Sequence, residues 1–181
     1  MARLPIIDPA TATGKAKELL AAVQSKLSIT PNMTKVMANS PAVLNAYIGF
    51  SGALGEGALD AKLREQLALV VAESNGCDYC LSAHSAIGKM VGLNDNETLS
   101  SRDGKGTTAR ATEALAFAQK IITNRGKATT GDLKQLRAAG FNDGEIAEII
   151  AHVALNIFTN YFNNITEVDI DFPKVTARLV A

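Results

Sequence analysis

The chain has 181 residues, of which 47% are apolar and 20% charged, enough for a sizeable core in one compact domain and too apolar for a disordered or fibrous chain. Eighteen Lys and Arg balance eighteen Asp and Glu, which leaves no basic footprint for nucleic acid or an anionic membrane surface. The longest unbroken apolar run, Leu67 to Ala72, is far short of the ~20 residues that span a bilayer. The first eight residues lack the apolar stretch of a secretory signal, so a cytoplasmic location is expected.

In chain order, the apolar spacing of three and four residues predicts helices throughout and no strand. Thr13 to Leu27 places Leu19, Leu20, Val23 and Leu27 on one stripe. Ser40-Pro41 offers an N-cap and a first-turn proline, with short helices expected on either side. Gly52, Gly55 and Gly57 break the chain before Asp60, the N-cap of a helix reaching about Ser74 with Leu63, Leu67, Val70 and Val71 inward. The turn Ser74-Asn75-Gly76 ends that helix, and Cys77 opens the next, which continues to Gly92. Asn94 with Glu97 reads as a capping box, and residues 101–107 as a flexible loop. Helices follow over Thr108 to Arg125 and Gly131 to Ala139, then a last long one from an Asn142/Glu145 capping box to about Phe162. The tail beyond Asp169 is extended. Asp60, Glu65 and Val70 recur at the same spacing as Asp143, Glu148 and Val153, a faint sign of two related helical halves.

The two cysteines, Cys77 and Cys80, form a single Cys-x-x-Cys unit. Random placement would set two cysteines three apart in only about one chain in a hundred of this length. A structural disulfide across so small a loop removes little entropy from the unfolded chain, and a reducing compartment opposes it. Redox chemistry and metal ligation are left. Cys77, Cys80 and His84 fall on the row i, i+3, i+7 of one helix, so both thiols and the imidazole share a face. A helix N-terminus and an imidazole both favour thiolate, and a sulfenic acid on one sulfur is within reach of the other.

Glu65, eleven residues, Cys77, two, Cys80, three, His84 resembles the E-x11-C-x2-C-x3-H signature of the AhpD-like alkylhydroperoxidases in the carboxymuconolactone decarboxylase superfamily. The likeness is strongest over Leu59 to Val91. It implies an all-α, AhpD-like helical bundle over residues 1–181 with the redox motif at 65–84, assembled as a trimer or hexamer. It implies reduction of hydroperoxides without haem, flavin or metal, and re-reduction by a dithiol or a lipoyl-carrying protein. By the same resemblance Cys80 attacks the peroxide, Cys77 resolves, and Glu65 and His84 relay protons. Tyr79 stands where well-known members carry a second histidine, which leaves the relay to Glu65 and His84. Helix-dipole reasoning alone would make Cys77 the more acidic thiol. The resemblance, with His84 one turn from Cys80, favours Cys80.

Other readings stand beside these. The cysteines could be small buried hydrophobes, or zinc ligands with His84 and Glu65 or Glu73. The other branch of the superfamily decarboxylates ring lactones without a Cys-x-x-Cys, and a redox sensor would use the disulfide to change an interface. His152, among apolar neighbours, reads as a core or interface histidine. Glu73 is either near the site or simply ends its helix. Phe158, Tyr161 and Phe162 read as core or subunit interface.

Overall fold

The computed structural model describes residues 2–178, and all regular structure among them is helical. The helices are α1 (Gly14–Leu27), α2 (Asn32–Met37), α3 (Pro41–Gly55), α4 (Ala61–Ser74), α5 (Asp78–Met90), α6 (Asp95–Arg102), α7 (Ala109–Thr123), α8 (Thr130–Ala138) and α9 (Asp143–Thr166). Three of the expected caps bond as expected, while Ser40 stands at the N-cap position of α3 without a side-chain capping bond. Asp60 accepts from the Leu63 N–H, and Asn94/Glu97 and Asn142/Glu145 close reciprocal capping boxes.

Helix α4 is the axis of the fold. Leu67 through Ala72 are all essentially buried, as a helix must be when it is apolar all round, and it packs against α5, α6, α7 and α9. Its two apolar faces serve two clusters. Leu69 and Ala72 join α1, α2, Leu44 of α3 and the cysteine segment. Leu63, Leu67, Val70 and Val71 meet α7, Leu136 and the first half of α9. Among its charged residues, Glu73 is buried at the end of α4 and takes the Arg102 guanidinium at 2.6 Å and that of Arg178 at 3.1 Å.

Three boundaries differ from expectation for identifiable reasons. Gly52 and Gly55 belong to α3, since a glycine costs a helix only ~1 kcal/mol. The helix expected to yield to a loop at residue 101 extends to Arg102, because Ser101 is fully buried under the Gln66 amide at 3.0 Å. The connection is therefore residues 103–108. Helix α9 runs one turn past Phe162, to Thr166, a turn that brings Asn163 to the cysteines. The faint repeat between α4 and α9 carries no common role: Glu148 caps the backbone N–H groups of Ala58 and Leu59 at 2.9 and 3.0 Å. A side chain at Gly57 would collide with that carboxylate.

Of the tail beyond Asp169, residues 170–178 are described; they are non-helical as expected and are strapped to α5. The Val175 N–H donates to Ser82 Oγ at 2.9 Å, and that of Ala177 to Asp78 Oδ1 at 2.8 Å.

Candidate active site

The site is built on one turn of chain. Gly76 takes φ +60°, the left-handed conformation that costs glycine nothing. The Gly76 N–H then reaches Glu73 O at 3.1 Å, and the Cys77 N–H reaches Ala72 O at 3.0 Å. This closes α4 in a Schellman turn whose last residue, Cys77, is at once the N-cap of α5. The Asn75-Gly76 turn thus fixes where the cysteine pair stands relative to Glu65 on the preceding helix.

Both thiols are free and buried, with Cys77 Sγ 2.6 Å from Cys80 Sγ and accepting the Cys80 N–H at 3.2 Å. One helical turn on, His84 Nδ1 meets Glu65 Oε2 at 2.8 Å. A carboxylate only accepts, so Nδ1 carries the hydrogen and Nε2 is left for other work. Burial pushes the Cys80 thiol up, but the bond from Cys77, the charge of His84 and the amide of Asn163 outweigh it and bring it down to about 7. Cys77 moves the opposite way, held protonated by its bond to Cys80 and by burial. Burial alone would depress His84, yet the Glu65 carboxylate overrides it and holds the imidazole above its usual value. Cys77 sits nearest the helix end, but the proton shared between the sulfurs decides which one ionises.

Cys80, His84 and Glu65 line a cleft of about 310 Å³, whose wall also includes Tyr79 and, from α9, His152 and Asn163, with Cys77 behind Cys80 and not itself in the wall. Met33, Tyr47, Ala68, Ile87, Leu155 and Phe172 make much of the rest apolar, and Lys26 and Arg64 add positive charge. All four residues picked from the signature, Glu65, Cys77, Cys80 and His84, are brought together. Tyr79 lies in the wall, accepting the Met33 N–H at 3.2 Å and meeting Phe172 edge-on. Burial raises its phenol further above the ordinary range, so it is no base at neutral pH and instead pins α2 to α5. Glu73 is not among the cleft residues; its partners are Arg102 and Arg178. His152 lines the cleft after all. It is buried, its Nε2 has no partner, and burial, then the charge of Arg64, depresses its pKa.

Sequence reasoning missed Asn163, whose amide nitrogen lies 3.2 Å from Cys80 Sγ. The signal was there: His152, Asn156, Asn160 and Asn163 recur at four, four and three residues along α9, and all four are buried. Among the described residues, no three His, Cys, Asp or Glu side chains are arranged to hold a metal ion.

Residues 41–120 match the carboxymuconolactone decarboxylase family, a segment that contains the whole Glu65 to His84 constellation. Over that segment the chain is similar to this family, and its fold is AhpD-like. It is similar to a solved peroxidase-related protein from Silicibacter sp. TM1040, 28% identical over 92% of this chain and 88% of that one, with TM-score 0.81. An AhpD-core, peroxidase-related protein from Ralstonia eutropha JMP134 shares the fold at TM-score 0.84, with 23% identity over 94% of this chain and 92% of that one. An uncharacterized protein of Haemophilus influenzae is 48% identical over 46 residues, 25% of this chain. The match spans 41% of that curated relative's length.

Proposed function

We propose that this AhpD-like chain is a thiol-dependent hydroperoxidase. The observation that carries the reading is the contact between a Cys80 poised as thiolate and a protonated Cys77, 2.6 Å apart beside the His84–Glu65 pair. The Cys80 thiolate attacks one peroxide oxygen, the O–O bond breaks, and the departing alkoxide takes a proton from His84, giving Cys80 sulfenic acid and ROH. Cys77 then attacks the Cys80 sulfur and water leaves, forming the disulfide. Glu65 keeps His84 oriented and charged for the first step. A dithiol, free or as a lipoyl group on a protein, restores both thiols, which suits a reducing cytoplasm. A cleft of about 310 Å³ holds on the order of ten water-sized volumes, so an organic hydroperoxide fits it better than hydrogen peroxide.

Intact mass tests this directly. One equivalent of hydroperoxide should remove two hydrogens from the reduced chain, and a Cys77→Ser chain should instead gain one trappable oxygen on Cys80. An unchanged mass in both overturns the reading. The family's name also suggests a lactone decarboxylase; lactone decarboxylation that survives replacement of both cysteines would favour it.

Assembly as a homo-oligomer belongs to the same proposal. Ile150, Phe158, Tyr161 and Ile165 are exposed along α9, a contiguous apolar face of the kind that covers itself against a second subunit. Light scattering should give a mass three or six times the 19.0 kDa chain; a monomer would rule this out.

A further inference from the structure

The buried polar row on α9 is left over once the two cysteines, His84 and Glu65 have been given their work. Two of its amides are half-used. Asn163 points its nitrogen at Cys80 Sγ, 3.2 Å, and at Met33 Sδ, 3.3 Å, while its Oδ1 is buried without a partner. The orientation follows from chemistry, since a thiolate and a thioether both accept and neither donates. Asn160, one turn earlier and fully buried, accepts from the Asn75 amide at 3.0 Å, and its otherwise unpartnered Nδ2 faces the Cys80 thiol and helps to lower its pKa. Asn164 in turn donates to Asn75 O at 2.9 Å, so the turn that delivers Cys77 is tied to this stretch of α9. A buried amide oxygen with nothing to accept costs about 1–3 kcal/mol, and such a group beside a reacting atom is an acceptor waiting for a donor.

We propose that Asn163 is a catalytic residue: its amide N–H holds the Cys80 thiolate, and its free carbonyl accepts the O–H that appears when that sulfur becomes a sulfenic acid. The second half of this role rests on the hydroperoxidase reading. In that step the Cys80 sulfur gains an O–H and turns from acceptor into donor, and the same amide offers one atom for each state, only an amide's width apart. When Cys77 displaces water, the O–H leaves and the N–H is again the useful end once the thiols are restored. The row also explains why a thiol only 3% exposed is still more acidic than a free one: donors from α9 and α5 replace the solvent.

The test is the titration of Cys80 in the full-length reduced chain, read as the rate of its alkylation by iodoacetamide from about pH 5 to 10, which needs no peroxidase activity. The parent should reach half its plateau near 7. In Asn163→Leu the midpoint should rise by about one pH unit, so that labelling near neutrality falls several-fold while the plateau rate at high pH is kept. The nearly isosteric Asn163→Asp, which places a negative charge against the sulfur, should raise the midpoint further, and it decides the matter if the leucine variant does not fold. Midpoints equal to the parent's in the folded variants overturn the assignment. A second arm compares Cys77→Ser with Cys77→Ser/Asn163→Leu after peroxide, with a sulfenic-acid trap: the double variant should yield several-fold less trapped sulfenic acid and more sulfinic acid. Equal yields remove the carbonyl's role. A shifted titration together with no sulfenic acid in either background upholds the hold on the thiolate and overturns the peroxidase reading itself.

Discussion

Replacing Cys80 with serine is expected to lower the rate of peroxide consumption by on the order of a thousandfold or more, the usual result of removing a nucleophile. Cys77→Ser should behave differently: its first step survives because a serine hydroxyl still hydrogen-bonds the Cys80 sulfur, but turnover stops at the sulfenic acid. The pH dependence gives the same assignment a sign. Thiolate is the reactive form, and Cys80 titrates at about 7, so the rising limb of the single-turnover rate should be centred near 7, ahead of the fall that His84 imposes at higher pH. A thiol near its ordinary value of ~8.5 would be only a few per cent ionised at neutrality. Stopped-flow peroxide consumption over the neutral range separates the two. If the rate kept rising to about pH 9, Cys80 would not be the poised thiol; if Cys80→Ser still consumed peroxide and Cys77→Ser did not, the order of roles would be reversed.

What the sequence showed, and what it hid, divides along the range of the interactions involved. Caps, the Asn75-Gly76 turn and the i, i+3, i+7 row are local, so Asp60, Asn94, Asn142 and the face shared by Cys77, Cys80 and His84 could be read directly. The meeting of Glu65 with His84 is tertiary, and only the resemblance to a known signature brought it into view. Local rules even gave a wrong lean for the thiols: position at the helix end favours Cys77, whereas the proton held between two buried sulfurs makes Cys80 the acidic one. The ends of α6 and α9 differ from expectation for one reason. Serine and asparagine read as breakers when their partners are unknown, but Ser101 is buried against Gln66 and Asn163 against Cys80, and a satisfied polar side chain need not end a helix. His152 was assigned to core or interface because its sequence neighbours are apolar; its spatial neighbours include the cleft.

Glu65→Gln should reduce the rate of the first step at pH 7 by about ten- to a hundredfold, within the range seen when a positioned acid–base partner is disabled, and should change the shape of the pH profile as well as its height. The wild-type rate needs Cys80 deprotonated and His84 protonated. It therefore rises through about 7 with Cys80 and falls at higher pH as His84, held above its usual value by the Glu65 carboxylate, gives up its proton. Removing that carboxylate leaves burial to act on the imidazole alone, so His84 deprotonates at lower pH and the falling limb moves down. Cys80 loses the imidazolium that favours its thiolate, so the rising limb moves up. The two limbs approach each other and the maximum shrinks between them. His84→Gln should lose the falling limb entirely and share the upward move of the rising one. Glu148→Gln is the control, since Glu148 caps the Ala58 and Leu59 backbone outside the cleft and a glutamine oxygen can still accept there. Profiles of Glu65→Gln and His84→Gln that superimpose on the wild type would remove both residues from the proton path and leave the cysteine pair to work on Asn163 and solvent alone.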